Sequence, residues 1–386
     1  MSIEVREIAG KKDLRTFIYL PEKIHKGHQG WVPPLYMDEW VFFDQKKNKS
    51  FAFCSTILAL AWEGGKPVGR IMGIISHKYN KLRGEKKARF FAIECYQNIE
   101  IARALTDFIC SWARENGMEK LVGPLGFSDK DPQGIKVEGF DEPVAITTNC
   151  NFPWMKEYLE ELGFEKEVDM VSYKIEIPEK IPEYIERISK RVIDSNGYVL
   201  HGFSSRKEMR PWIVPIFRLV NETFIPIYGF TPLEEKEMHE LANRYIPILD
   251  PRYVKAVSTV QGELIAFAIG MPELSLGIKR ARGRLFPFGW YHIIRQSRKT
   301  KMLTLLLGAI KEPYRGKGID TLMGLRLLES AVKAGMKVID SHLILETNTR
   351  MRAECERIEG VVYKRFRVFY KNLWIVMLIA TQFYKI

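Results

Sequence analysis

What most constrains the fold of this 386-residue chain is that it is written twice. The segment "AIECYQNIEIARALTDFICSWARENGMEKLVG" runs in parallel with "AIKEPYRGKGIDTLMGLRLLESAVKAGMKVID". In each, a strand-like apolar run leads to a tyrosine and then to a helical pattern that stops at a glycine. Tyr96 and Gly117 are 21 residues apart, as are Tyr314 and Gly335. The hairpin glycines Gly65 and Gly262 are 197 apart, and so are the late glycines Gly163 and Gly360. Fixed offsets at separated places are the mark of a repeated unit. Each unit reads as strand, helical segment, strand hairpin, strand, helix, strand, helix, strand. That order predicts an α/β (α+β) fold with a mixed, mostly antiparallel central sheet flanked by helices. The spacing predicts a division near "IPEKIPEYIERI", giving units 1–178 and 179–386.

The two copies differ by insertions. The first gains about 21 residues after its helix, around "GPLGFSDKDPQGIKVEGFDEP". A calcium loop starting at Asp129 would need a carboxylate where Phe140 stands, so that reading fails. A surface loop or a lid against the second unit is expected, with substrate binding as the other reading. The second copy gains about 21 residues before its helix. From Leu274 to Lys311 there is no Asp or Glu but nine Lys or Arg, most of the net charge of +12. An anionic partner belongs there. Phe286, Phe288, Trp290 and Tyr291 are interleaved with these cations. Three readings stay open for the segment: a cover over a cofactor's phosphates, a solvated basic face, or a contact with nucleic acid or an anionic membrane. No RNA-binding motif accompanies it, so a nucleic-acid partner is not expected.

Five cysteines without a C-x-x-C pair, and seven scattered histidines, point to neither a disulfide framework nor a metal site. The start "MSIEVREIAGKKDL" has no apolar secretory core, and the late run "LWIVMLIA" is too short to span a bilayer. A cytoplasmic protein without a transmembrane segment is expected.

The stretch "KEPYRGKGID", Lys311 to Asp320, sits between the apolar run "MLTLLLGAI" and the second copy's central helix. A strand, a glycine-containing loop and a helix start bring backbone N–H groups to one point, which favours a phosphate. No G-x-x-x-x-G-K-[ST] and no dinucleotide G-x-G-x-x-G stands here. The pattern resembles the acetyl-CoA signature [RQ]-x-x-G-x-[GA] of the GNAT acyltransferase superfamily, with Arg315, Gly316, Lys317, Gly318, Ile319 and Asp320 in its six positions. "ILETNTRM" and "ERIEGVVYKRFRVFYKNL" resemble that family's later strand, helix and closing strand. The resemblance covers Asn196 to Asn372, and the whole chain is similar to bacterial tandem-GNAT proteins. In the first copy "YQNIEIA" fills the loop position with no glycine, so that half resembles a degenerate unit.

The resemblance implies an N-acyltransferase that moves an acetyl or longer acyl group from CoA to a small-molecule or peptide amine by direct attack. The alternative is a non-catalytic acyl-CoA-binding or scaffold protein. It implies CoA contacts from Ile310, Lys311, Tyr314, Arg315, Gly316, Lys317, Gly318, Ile319 and Asp320, with no metal. Glu346, Asn348 and Tyr228 are its catalytic candidates, each with a structural role as the other reading. Asp320 departs from the signature, which has Gly or Ala there. Its carboxylate either faces the diphosphate unfavourably or caps the helix itself.

Overall fold

A computed structural model describes residues 2–145, 148–195, 197–246 and 248–374. The apolar run beyond Trp374 lies outside these described residues. The first half contains β1 (Ile3–Glu7), α1 (Gly10–Ile24), α2 (Tyr36–Phe42), β2 (Cys54–Glu63), β3 (Lys66–Ser76) and α3 (His77–Arg83). It continues through β4 (Lys87–Cys95), α4 (Ile99–Glu115), β5 (Lys120–Gly123), β6 (Ile135–Glu138), α5 (Trp154–Glu161) and β7 (Glu165–Glu176). The second half opens with α6 (Glu183–Asp194), β8 (Tyr198–Gly202), α7 (Arg206–Thr223), α8 (Glu235–Tyr245), β9 (Val254–Thr259) and β10 (Leu264–Pro272). The inserted α9 (Ser275–Arg280) and α10 (Gly289–Lys299) precede β11 (Met302–Ile310) and α11 (Ile319–Lys333). The chain closes with β12 (Val338–Asp340), β13 (Ile344–Leu345), α12 (Thr349–Arg357) and β14 (Val361–Asn372). The order of elements expected for each unit is observed twice.

Alternation along the strands builds two cores on opposite faces of the sheet. In β2, Ile57, Ala59 and Ala61 join the core beneath α4, while Leu58 and Leu60 join the core beneath α1. In the second half, Phe267 and Ile269 of β10 pack with α7, whereas Ile265 lies with Ile319 and Leu322 of α11. Each half is therefore a helix–sheet–helix sandwich.

The strands do not form two separate sheets. They follow one order, β1-β2-β3-β4-β5-β14-β7-β12-β11-β10-β9-β8. The last strand of each copy crosses over: β14 pairs with β5 of the first half, and β7 pairs with β12 of the second. β7 and β14 then pair antiparallel along nearly their full lengths. The connection at residues 177–182 thus leaves a strand already embedded in the other half's sheet. Both crossing strands carry apolar residues on both faces, and that pattern is the same whichever partner flanks them.

The crossover also brings the connections of one half against the other. Lys279 donates to the carbonyl of Gln29, Arg284 pairs with Glu22 at 2.9 Å, and Tyr36 donates its N–H to Gly283 at 3.0 Å. Reciprocally, Arg83 reaches the carbonyls of Ile225 and Ile227. The first-copy insertion packs against the second half as well: the Ser275 hydroxyl donates to the Val144 carbonyl at 2.7 Å, and Lys130 lies 4.9 Å over the Phe230 ring.

Candidate active site

β11 pairs with β12 only at Met302, Leu303 and Thr304, where β12 ends at Asp340, and β11 runs on past it from Leu305. Its register against β10 also slips between Leu305 and Leu307, a bulge that bends the strand. Leu305, Leu306 and Leu307 are left half-buried in a central strand. Half-covered leucines on a central strand offer apolar surface along which a chain such as an acyl-pantetheine could lie.

The strand runs out at the expected loop. Gly316 and Gly318 both take left-handed backbone, with φ of 74° and 80°. At Gly318 a Cβ would also press on Ile188 and Val192 of α6, at 2.8 and 3.0 Å. Gly318 is the N-cap of α11 and supplies no side chain to it. Among the described residues, no hydrogen bond is formed by the N–H groups of Gly316, Lys317, Gly318, Ile319 or Asp320. Five donors thus gather at the positive end of a 15-residue helix.

The side chains divide by role. Arg315 donates from Nε to the Ile310 carbonyl at 3.0 Å, which bends the loop back on its own strand. Lys317 is exposed, its Nζ 5.2 Å over the Tyr314 ring, and Tyr314 packs edge-on against Tyr198. Lys311 is held by Glu263 at 2.7 Å and Glu222 at 3.3 Å. Ile319 is wholly buried in the core, so only its N–H can face a ligand. Asp320 accepts the Thr321 N–H at 2.8 Å. Its carboxylate thus satisfies one donor of the helix and leaves the five preceding N–H groups open. Arg326, a neighbour that could offset Asp320, pairs instead with Glu329 at 2.9 Å.

The three catalytic candidates all carry structural bonds. Glu346 accepts the Asp169 N–H at 3.0 Å and pairs with Lys166 at 2.7 Å. Asn348 caps α12 by accepting the Met351 N–H at 3.2 Å. The Tyr228 hydroxyl donates to Glu167 at 3.3 Å across the halves. Burial first, then the Glu167 charge, push the Tyr228 phenol well above its usual range.

A cluster the sequence reading missed lies in the first half. Glu94, at the end of β4, meets Nε2 of the buried His25 at 2.8 Å, and His25 Nδ1 meets His28 Nδ1 at 2.9 Å. The His25 ring stacks on Trp31 and Phe152, with centroids 5.2 and 4.9 Å away. Burial, aided by the neighbouring His25, holds His28 down to about 4. A neutral imidazole in line with a second imidazole and a carboxylate can accept a proton and pass it inward. The cluster opens on a cavity of about 360 Å³ whose wall includes Trp31, Lys279 and Arg282. His25 and His28 stand three apart after α1, a spacing visible in the sequence. Glu94 is 69 residues away from His25, and only the fold joins them. Among the described residues, no group of three His, Cys, Asp or Glu could hold a metal ion, and no helix is long and apolar enough to cross a membrane.

No protein-family model matches the chain. A bacterial ceramide synthase from Caulobacter vibrioides (strain NA1000 / CB15N) is 27% identical over 369 residues, covering 94% of this chain and 95% of that protein. Protein YghO of Escherichia coli (strain K12) is 24% identical over 378 residues, 96% of this chain and 95% of its own length. Among solved structures, a tandem GNAT protein from the clavulanic acid biosynthesis pathway superposes with a TM-score of 0.52 at 14% identity, over 96% of this chain and 99% of that one. A GCN5-related N-acetyltransferase from Sphaerobacter thermophilus gives 0.52 at 11% identity, over 96% of each. The likeness to the solved structures is one of fold: along nearly its whole length the chain has the tandem GNAT architecture, the fold of enzymes of the acyltransferase type.

Proposed function

We propose that this chain is an N-acyltransferase that takes an acyl group from CoA, with the CoA diphosphate on the N–H groups of residues 316–320. One observation carries the reading: five unpaired backbone donors at the head of α11, beside a strand that runs on past the end of its parallel neighbour. The acyl-pantetheine arm would follow the half-buried Leu305, Leu306 and Leu307. An amine nitrogen attacks the thioester carbonyl there, the C–S bond breaks, and the thiol and an amide leave. The near full-length similarity to a ceramide synthase supports a lipid amine as acceptor. Calorimetry with CoA tests the cradle. Lys317→Glu, on an exposed side chain, should weaken binding at least tenfold, by placing like charge beside the diphosphate. Absence of any heat with CoA at millimolar concentration would remove the reading.

A second reading concerns the proton. Glu346, Asn348 and Tyr228 are engaged elsewhere, whereas Glu94, His25 and His28 form a chain opening on a cavity. In that reading the amine is deprotonated in the first half. Thiol release that survives His28→Ala and Glu94→Gln at full rate excludes it; loss of turnover with CoA binding intact supports it.

A further inference from the structure

We infer that the inserted segment 274–299 is a docking surface for an anionic lipid bilayer. The inference does not depend on the acyl-transfer reading, because it rests on what this segment shows to solvent. Phe286 and Phe288 are 77% and 71% exposed, and Trp290, Tyr291 and Ile294 are about half exposed beside them. Large apolar side chains on a protein surface in this density mark a contact surface.

The projection is built, not frayed. Trp290 donates its N–H to the Leu285 carbonyl at 3.0 Å and its indole N–H to the Pro287 carbonyl at 3.0 Å. Tyr291 donates its N–H to Phe288 at 3.1 Å. Gly289 lets the turn close, since a Cβ there would sit 1.7 Å from the Arg284 carbonyl oxygen. The two phenylalanines are thus held outward on a turn whose own hydrogen bonds are made.

Charge identifies the occupant. Arg280, Arg282, Arg295, Arg298, Lys299 and Lys301 are exposed and, among the described residues, form no ion pair. No acidic residue lies between Leu274 and Lys311 to neutralise them. Aromatic tips with cations on their flanks match the boundary between acyl chains and anionic headgroups. A nucleic acid would engage the cations and gain little from the two phenylalanine tips. The same segment gives Lys279 and Arg282 to the wall of the first-half cavity, so a bilayer docked here lies at that cavity's mouth.

Co-sedimentation of the whole chain with vesicles tests this. It should bind vesicles of phosphatidylcholine with about a third phosphatidylglycerol, bind pure phosphatidylcholine weakly, and release with added salt. Phe286→Ala with Phe288→Ala should lower binding at least tenfold, with thermal stability unchanged because both side chains are exposed. Arg295→Glu with Arg298→Glu should cost about fivefold or more per charge and flatten the salt dependence. Three outcomes overturn the proposal: no sedimentation with the anionic vesicles at low salt, vesicle binding indifferent to the phenylalanine pair, or a dimer in solution that loses its contact in the same variants. Where the first of these comes with binding of an RNA oligonucleotide, the cations are assigned to nucleic acid.

Discussion

The segments that carry α4 and α11 start from a matching tyrosine and end at a matching glycine, yet the loops ahead of the two helices are built differently. α4 begins at Ile99, three residues after Tyr96; α11 begins at Ile319, five residues after Tyr314. The second helix is 15 residues long against 17, so two residues have left the helix to make a loop. In the first half Asn98 caps its own helix by accepting the Glu100 N–H at 3.0 Å. In the second the cap is a glycine with no side chain, and the donors stay open. The strands differ in the same sense. Ala88, Arg89, Phe90 and Phe91 of β4 are buried, and the Leu125 N–H continues the pairing by donating to the Phe90 carbonyl. Leu305, Leu306 and Leu307 of β11 are only half covered. One half spends its helix start and strand wedge on stability; the other leaves both available. The fold tolerates either, so the glycine loop is not there for folding.

The comparison can be broken most strongly at the seam between the halves. Glu167 and Lys364 stand 197 residues apart, at matching places on the crossing strands, with opposite charge. Glu167 is partly open and shared by Lys120 at 2.5 Å and Lys87 at 3.3 Å. Lys364 and Asp340 are almost fully buried, 3.3 Å apart, with the Pro143 carbonyl also near the ammonium. Lys364→Ala strands a buried carboxylate and should cost ~3–5 kcal/mol in urea unfolding. Glu167→Ala, at a more open site with two surviving lysines, should cost about 1 kcal/mol. Because one sheet runs through both halves, each variant should still unfold in one transition. Two separate transitions would show that the crossing strands do not couple the halves.

The loops themselves give the next largest effect. Replacing residues 315–320 with Gln-Asn-Ile-Glu-Ile-Ala, the first copy's version, should leave a folded protein, since the first half folds with that sequence. CoA affinity should drop about a hundredfold or more, as a self-capped helix offers a diphosphate few open donors and the cations of Arg315 and Lys317 are lost. If calorimetry finds the exchanged loop binding CoA as well as the original, the open donors are not the site.

Much of this architecture was legible because a repeat doubles each weak signal. Helix and strand order, the hairpin turns at Gly65 and Gly262 (both at positive φ) and the insertions were all readable from matched spacing. The strand crossover was not, because β7 is apolar on both faces and would satisfy either neighbour. Equal spacing also hid unequal use of glycine. Gly163 takes left-handed backbone, but in the second half Glu359 does so, and Gly360 instead avoids a clash with the Cys355 carbonyl. The basic segment was legible as charge but not as place. Its contacts run to Glu22, Gln29 and Tyr36 of the first half, where the crossover puts it, and not to the loop that follows it in sequence. The Glu94–His25–His28 chain needed the folded sheet to exist at all.

That chain sharpens the comparison through pH, at a smaller scale. His28 is held near 4 by burial, against an ordinary value near 6.5. Above about pH 6.5 neither folded nor unfolded chain protonates it, and it contributes nothing to the pH dependence. Between 6.5 and 4 the unfolded chain takes the proton and the folded one does not, so stability falls as pH falls. Half-exposed, the group should account for about 1–2 kcal/mol of that loss after solvent screening. His28→Gln should flatten the unfolding free energy over this window and leave CoA affinity unchanged. An unaltered pH slope would mean that His28 is not held neutral in the fold.

The smallest expected effect falls on the residue where the loop departs from its signature. Asp320 both satisfies a helix donor, through the Thr321 N–H, and brings negative charge to the place proposed for a diphosphate. These roles oppose each other under substitution. Asp320→Ala should lose about 0.5–1 kcal/mol of stability, as a first-turn carboxylate and its hydrogen bond are removed. It should also gain a few-fold in CoA affinity, because a like charge has gone and a sixth N–H is freed. A gain in affinity with a loss in stability would show the carboxylate to be tolerated at the cradle for the helix's sake. Weaker CoA binding in the alanine variant would mean the carboxylate orients the loop for its ligand, and the second half would then differ from the first by a tuned site rather than merely an open one.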